Sequence, residues 1–459
     1  MMPSIFPRSK VRLEIKAFLQ LAIPLASAQV AQLATGFVDT IMMGHLGRET
    51  LAAGALASIT FFALVVTGGG VVMGVSPLVA EAYGAGRQTR VSQIVAQGGW
   101  LLWFLTVPTM FLIAHIDTVM NQLGQAAATV TLANVYLDIM LWGFFPAIGF
   151  AMLRGVVSAL SHARPVMVIV TAGTLFNIVG NYVLGFGKFG FPRMELAGLA
   201  LASILTLWGM FLALGVYVVK YRQLKPYHLF QDLHRFRPQI FWQLLRIGVP
   251  IGIFSALEIG VYTVITYLMG VLGTDVLAAH QIVFQTINVI FMVPLGMSYA
   301  TTARVGQWLG QQNLEGMRRA GSVSISLSVG VMLTLAIALL LFPESIIGLY
   351  VDIRNPDNAS MLTLGIPMLM VAATAQLFDG VQKVAYGALQ GLQDTRIPTI
   401  ISFLTYWCIG LTSSYLLGFR WGLGGLGLWL GTLISVVIAA VSFVWRFYSL
   451  TSKMQLSKF

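Results

Sequence analysis

A single cysteine, Cys408, stands in 459 residues, so no internal disulfide and no thiolate cluster for a metal can form. It lies within an apolar segment, where a small buried residue is expected. Charge is scarce as well: 9% of residues are charged, against about 25% in an ordinary soluble chain. So few charges cannot cover a surface in water, and the solvent must be largely lipid. No GxxxxGK[ST] loop is present, which excludes nucleotide hydrolysis by that route. HExxH and GxSxG are missing too, leaving intramembrane hydrolysis without a constellation. We therefore expect no enzyme and no cofactor. The formal charge of +11 does not indicate a nucleic-acid partner, because the basic residues cluster in short loops between apolar runs.

What is abundant is hydrophobicity, 57% of residues with a mean hydropathy of +0.83. Within lipid only helices and closed barrels satisfy the backbone. Barrel strands would alternate apolar and polar residues over about ten positions. The runs here are continuous instead, which predicts an all-α integral membrane protein. Twelve spans are expected near 15–42, 50–80, 92–115, 127–157, 165–187, 196–219, 240–271, 277–303, 320–343, 360–388, 398–418 and 425–446. The basic start, "MMPSIFPRSKVRLEIKAFLQ", leads into a run too long for a signal-peptide core, and reads as a retained first helix. The longest polar stretch, "KYRQLKPYHLFQDLHRFRPQ" (220–239), divides the chain into an N-lobe (1–219), a linker (220–239) and a C-lobe (240–459).

Twelve spans place both termini on one side. Of the lysines and arginines in loops and span ends, 20 fall on that side and 5 on the other. Cytoplasmic loops carry the excess of these residues, so both termini and the 220–239 loop are expected in the cytoplasm.

The halves repeat. "MGHLGRETLAAGAL" (43–56) matches "MGVLGTDVLAAHQI" (269–282) at seven of fourteen positions, a shift of 226. The same shift carries Pro24 onto Pro250, Glu81 onto Gln307 and Gly84 onto Gly310. Further along, "NYVLGF" (181–186) matches "SYLLGF" (414–419), and "LAGLAL" (196–201) matches "LGGLGL" (423–428). Six helices per repeat is an even number, so the two six-helix lobes should be related by a pseudo-two-fold axis along the membrane normal. Transporters built this way bind substrate between their halves.

Charges inside the spans are expensive, at least about 2.5–3.5 kcal/mol on insertion scales, and so mark candidate sites. Asp39, Glu258 and Asp379 stand within apolar runs. A buried carboxyl can exchange protons in an accessible range, and a carboxylate among carbonyl and amide oxygens can hold a hard cation such as Na⁺. By the repeat, Glu258 falls on Gln32 and Asp39 on Ile265, so the acids are laid differently on a shared frame. Lys383 follows Asp379 by four residues, a spacing that favours pairing on one helix face; it either neutralises Asp379 or tunes its acidity. Asn177 and Asn181, also four apart, either bond neighbouring helices or supply oxygens to a cation. Arg154 is expected to snorkel from the cytoplasmic end of the fourth span. His45, His162 and His280 lie near span ends, form no metal-ligand spacing and read as structural or interfacial. The GxxxG spacings at Gly306/Gly310 and Gly387/Gly391 read as close helix contacts.

Several stretches, in order, carry a resemblance to a known family. They are "FVDTIMMGHLG", "SPLVAEAYGAGR", "FNIVGNYVLGFGKFG", "LEIGVYTVITYLMGVLG", "AAHQI", "ARVGQWLGQ" and "FDGVQKVAYGALQGLQDTR". With them the chain resembles the multidrug and toxic compound extrusion (MATE) transporters, most of all the NorM branch. The resemblance implies export of organic cations in exchange for inward Na⁺ or H⁺, by alternating access with rocking of two lobes, in a bacterial inner membrane. It implies a cation-coupling role for Glu258 and Asp379 in the C-lobe, where Na⁺ would bind, and for Asp39 in the N-lobe. Asn177 and Asn181 would be the supporting polar residues. Two positions depart from the pattern: Lys383 replaces an apolar residue, and Glu81 stands where Gln is usual. Organic cations and membrane lipids are the expected partners, with no ATPase subunit, and the chain is expected to be a monomer.

A flippase for a lipid-linked precursor is the main rival. Its anionic substrates would call for central arginines or lysines, whereas the deep charges here are mainly acidic. The loop charges yield a direct test of orientation. In a Cys408→Ser background, a cysteine at Gln231 should react with an impermeant thiol reagent only after cells are permeabilised. Labelling of intact cells from outside would reverse the orientation.

Overall fold

A computed structural model describes residues 8–122, 124–352, 355 and 358–456. Its helices long and apolar enough to cross a membrane number twelve among the described residues. They are α1 (Arg8–Leu46), α2 (Arg48–Gly84), α3 (Gln88–Ala114), α4 (Ala127–Ala159), α5 (Arg164–Gly185) and α6 (Glu195–Lys220), then α7 (Pro238–Leu272), α8 (Thr274–Gly310), α9 (Leu314–Leu341), α10 (Ala359–Gly391), α11 (Arg396–Arg420) and α12 (Gly424–Met454). Each expected span is present. Most extend past the apolar run that revealed them, because helical hydrogen bonding continues into the polar flanks. No strand occurs among the described residues.

The breaks between helices follow local chemistry. Gly47 separates α1 from α2 at φ 137°, and Gly273 separates α7 from α8 at φ 131°. Both conformations exclude ordinary side chains, and the two glycines are related by the 226-residue shift of the repeat. Proline opens α7, where its missing N–H costs nothing. Asn313 caps α9, its side-chain oxygen accepting from the Gly316 N–H at 2.8 Å.

The helices form two compact units. One contains Ser27–Gly252; the other contains Met1–Ala26 together with Ile253–Phe459. The divisions therefore run through α1 and α7, whereas the expected lobe boundaries lay at the polar 220–239 segment. Each division comes two residues after a proline inside the helix, Pro24 in α1 and Pro250 in α7. A proline there removes one backbone hydrogen bond and loosens the helix locally.

Within each unit the same small-residue contact recurs. In the first, a side chain at Gly70 would come within 2.9 Å of the Gly252 Cα, and one at Gly74 within 2.8 Å of the Gly248 Cα. In the second, Gly296 lies against the Ala26 backbone. Positions 70 and 252 become 296 and 26 under the repeat, so the first part of α7 packs on α2 as the first part of α1 packs on α8. A similar backbone approach, at glycines the repeat does not relate, joins the last two spans of each half. A side chain at Gly198 would meet the Leu184 oxygen at 2.5 Å, and one at Gly427 the Leu417 carbonyl carbon at 2.5 Å. Such backbone approach is the usual device for helix association in lipid, where dispersion must replace the hydrophobic effect.

The opening turns of α1 are tied to α8 by charge. Arg304 donates to both carboxylate oxygens of Glu14, at 2.8 and 2.9 Å. The Trp308 indole donates to Glu14 at 3.0 Å, and Arg304 also reaches Gln307 at 2.9 Å. Arg319 lies over the Trp308 ring, 5.2 Å from its centroid. Glu14 is only 3% exposed, so its charge depends on these donors. In the sequence Arg304 had counted only toward topology.

Two expectations are corrected. Arg154 does not snorkel: it is buried in its unit and donates to Gln29 at 2.6 Å, because α1 offers an amide oxygen within reach. Cys408 is exposed rather than buried, since an apolar segment in lipid can turn its small residues outward. The Glu14 cluster leads to a prediction. Breaking a buried pair on one side costs about 3–5 kcal/mol, because the remaining charge is stranded. Glu14→Ala should lower the thermal unfolding midpoint in detergent, and adding Arg304→Met should recover much of the loss. Equal midpoints for wild type and Glu14→Ala would show that the pair contributes nothing.

Candidate functional site

Polar groups gather at one place in each unit. In the Ser27–Gly252 unit, Asp39 comes from α1 and both asparagines from α5. Asn181 donates to the Asp39 carboxylate at 2.5 Å and to the Asn177 oxygen at 3.0 Å. Asn177 in turn donates to the Ser203 hydroxyl of α6 at 3.2 Å. Four residues of helix turn about 400°, so the two asparagines share a face, and Asn181 donates to the acid on one side and to Asn177 on the other. The backbone widens into a π turn over Asn181–Gly185, a feature frequent at functional sites. Asn181 is fully buried, and its own oxygen has no protein partner among the described residues. Tyr136 of α4 is buried within electrostatic reach of Asp39. One helical turn back along α1, Thr35 bonds Thr174 of α5 at 2.8 Å and holds the two helices in register.

In the other unit the acids are Glu258 on α7 and Asp379 on α10. Lys383, also on α10, reaches across to Glu258, with Nζ 2.6 Å from Oε2. This corrects the expected pairing of Lys383 with Asp379. The spacing of four does place Asp379 and Lys383 on one face, but an intrahelical pair requires the lysine to fold back. Nζ instead lies near the rings of Phe254 and Phe291, 5.0 and 4.9 Å from their centroids, and on the facing carboxylate. Ring faces attract a cation when water is excluded. Phe254 is itself fixed by stacking on Tyr386, with centroids 3.9 Å apart.

Asp379 is 5% exposed and accepts no hydrogen bond among the described residues, although Glu258 and Lys383 both act on it electrostatically. Around it stand Tyr262 of α7 and Tyr406 of α11, each within electrostatic reach of both acids. The Tyr406 hydroxyl is committed to the Gln382 oxygen at 2.7 Å. Trp407 closes the α7 side by donating to the Leu257 carbonyl at 3.1 Å. The site thus offers one neutralised carboxylate and one with spare acceptor capacity, side by side.

All six residues singled out in the sequence therefore fall into these two clusters: Asp39, Asn177 and Asn181 in one, Glu258, Asp379 and Lys383 in the other. Sequence reasoning missed the aromatic residues around them, which are invisible in apolar runs. It also missed Asp138, a carboxylate within α4 that is exposed and has no ion pair among the described residues. The rule that flagged the other three acids, a charge inside a span, applies to it equally. Two of the three histidines read from the sequence bond neighbouring side chains. His280 is fully buried against Thr266 at 3.0 Å and stacks near Phe284, while His162 bonds Gln223 at 2.8 Å. No group of three or more metal-binding side chains occurs among the described residues.

Comparison with known proteins meets this geometry in a particular way. The MatE family profile matches the chain twice, over residues 24–183 and 250–416, with starts that differ by the same 226 residues as the repeat. The chain belongs to the MatE family. Curated relatives include a "Probable multidrug resistance protein NorM" of Synechocystis sp., 54% identical over 446 residues, covering 97% of each chain. A protein of the same name from Synechococcus sp. is 53% identical over 441 residues, 96% of this chain and 95% of the relative. Among solved structures, a MATE protein crystallised with MaL6 superposes with a TM-score of 0.87 at 20% identity, covering 98% of this chain and 100% of that one. Both MATE halves begin their match at the prolines where α1 and α7 pass between units, Pro24 and Pro250.

Proposed function

We propose that this MATE-family chain exports organic cations by antiport with Na⁺ or H⁺. The observation that carries the reading is the placement of two carboxylates, Glu258 and Asp379, side by side at the centre of apolar helices in one unit. Insertion would select against them unless they worked. Positive charge is what such a pair attracts, whether a coupling ion or the ammonium of a drug. Asp39, braced by Asn181 and Asn177, gives the other unit an acid of its own. Coupling then requires that cation and drug favour different orientations of the two lobes, since a ligand shifts an equilibrium only by its difference in affinity. The named relatives are multidrug resistance proteins, which supports drugs as the cargo. No catalytic step is assigned to any residue.

The loop charges support cytoplasmic termini, and the bacterial relatives support a bacterial inner membrane. A flippase for an anionic lipid-linked precursor is the weaker reading. The two basic groups deep in the spans, Lys383 and Arg154, are engaged with Glu258 and Gln29. An anion would have to compete with those partners.

Glu258→Gln and Asp379→Asn should each abolish gradient-driven efflux of ethidium from cells, a loss of at least about tenfold in rate. Asp379→Asn removes a charge from a span and should not hinder insertion, whereas Glu258→Gln leaves the Lys383 ammonium without its partner, so its effect is read per protein present in the membrane. Near-normal efflux with either variant, at equal amounts of protein in the membrane, would remove that residue from the coupling machinery.

A further inference from the structure

We infer that Lys383 is a tethered cation that occupies Glu258 while no coupling ion is bound, and that it transfers to Asp379 when an external cation takes its place. The inference rests on the antiport reading for its physiological meaning, though not for its chemistry.

Four observations carry it. First, the Lys383 ammonium sits on Glu258 at 2.6 Å, with side-chain exposures of 8% and 15%, so the carboxylate that a free cation would need is already neutralised. Second, a vacant acceptor lies within reach. Asp379 is one helical turn before Lys383 on the same face, is buried, and accepts no hydrogen bond among the described residues. Third, the lysine can make the exchange alone. Its charge is a compact point on a flexible four-carbon stem with three rotatable donors, and the Phe254 and Phe291 rings offer it a cation-attracting surface outside the ion pair. Fourth, the helix that carries it is held in place. Gly380 packs directly on Met332 of α9 and Gly387 on the Ser298 carbonyl of α8, so α10 leaves no room for the backbone to shift instead.

The physical consequence is competition at high effective concentration. A group on a short tether meets its partner as an intramolecular ligand. The apparent affinity of Glu258 for a free cation falls by the fraction of time the lysine leaves it open. Asp379 raises that fraction by receiving the displaced ammonium, so it assists cation binding without being a ligand. Charge balances throughout: two carboxylates and one ammonium before binding, two carboxylates and two cations after.

The test is Na⁺ binding to the purified full-length chain in detergent. Binding is read from the Na⁺-dependent rise in thermal unfolding midpoint, with potassium chloride holding ionic strength constant. A ligand that binds only the folded state raises its stability with ln(1 + [L]/Kd), which yields an affinity. Lys383→Met should tighten Na⁺ binding at least about tenfold, corresponding to about 1.4 kcal/mol. Lys383→Gln should do the same while keeping a hydrogen-bonding side chain, should the methionine variant fold poorly. Lys383→Arg keeps the charge and should retain weak binding. The exchange itself is read from Asp379→Asn. With Lys383 present it should weaken Na⁺ binding by about tenfold, because the lysine loses its second partner. Combined with Lys383→Met, it should change binding by less than about twofold, within the additivity expected of uncoupled sites. Unchanged or weaker Na⁺ binding in both Lys383→Met and Lys383→Gln would overturn the inference. So would an equal loss from Asp379→Asn in both backgrounds, which would make Asp379 a direct ligand. Because the readout is binding, a failure of drug transport after the same protein is reconstituted in liposomes would count against the antiport reading and leave this result standing.

Discussion

A charge withdrawn from water must be met by another polar group, and the interior of this protein is arranged around that demand. Glu14 is met by Arg304 and Trp308, Arg154 by Gln29, Asp39 by Asn181, and Glu258 by Lys383. Every one of these partners comes from a different helix. In a low-dielectric medium the attraction is strong, and so is the cost of leaving either member alone. The pairs therefore fix which helices lie together as firmly as the packed apolar surfaces do. Asp379 is the buried exception. It has charged neighbours but no hydrogen bond among the described residues, which leaves its carboxylate open to the Lys383 ammonium one helical turn away.

The same demand explains the division of labour within the repeat. The frame that the halves share is made of glycines and backbone contact: Gly47 and Gly273 at the bends, Gly70 on Gly252, and Gly296 on Ala26. These contacts carry no charge and duplicate faithfully. The acids do not duplicate. Asp39 falls on Ile265 and Glu258 on Gln32, so each unit has its own chemistry on a common scaffold. The proline in each shared helix sits two residues before the chain passes from one unit to the other. That placement puts the weakest point of α1 and α7 where the two packing environments change.

Much of this was legible in the sequence, and the remainder was hidden for identifiable reasons. Hydropathy locates spans because lipid imposes length and composition on each helix separately, so all twelve were readable. The 226-residue repeat was readable because glycine geometry tolerates little change. What a single helix cannot reveal is its neighbour. Spacing paired Lys383 with Asp379, whereas the facing helix supplied Glu258. Arg154 found Gln29, 125 residues away, and Arg304 found Glu14, 290 residues away. For the same reason, nothing in chain order indicated that residues 8–26 pack with the second half. Cys408 was misplaced because outward and inward faces of a lipid-bound helix are both apolar. Asp138 was legible and was overlooked.

The central claim is that carboxylates inside the spans convert a cation gradient into uphill movement of an organic cation. The most direct measurement uses purified wild-type protein in liposomes loaded with equal ethidium on both sides. A Na⁺ gradient and a proton gradient are then imposed separately, each with the membrane potential clamped. The account predicts that at least one gradient drives ethidium against its own concentration difference, and that dissipating that gradient returns the dye to balance. Ethidium that never exceeds equal distribution under either gradient would contradict it.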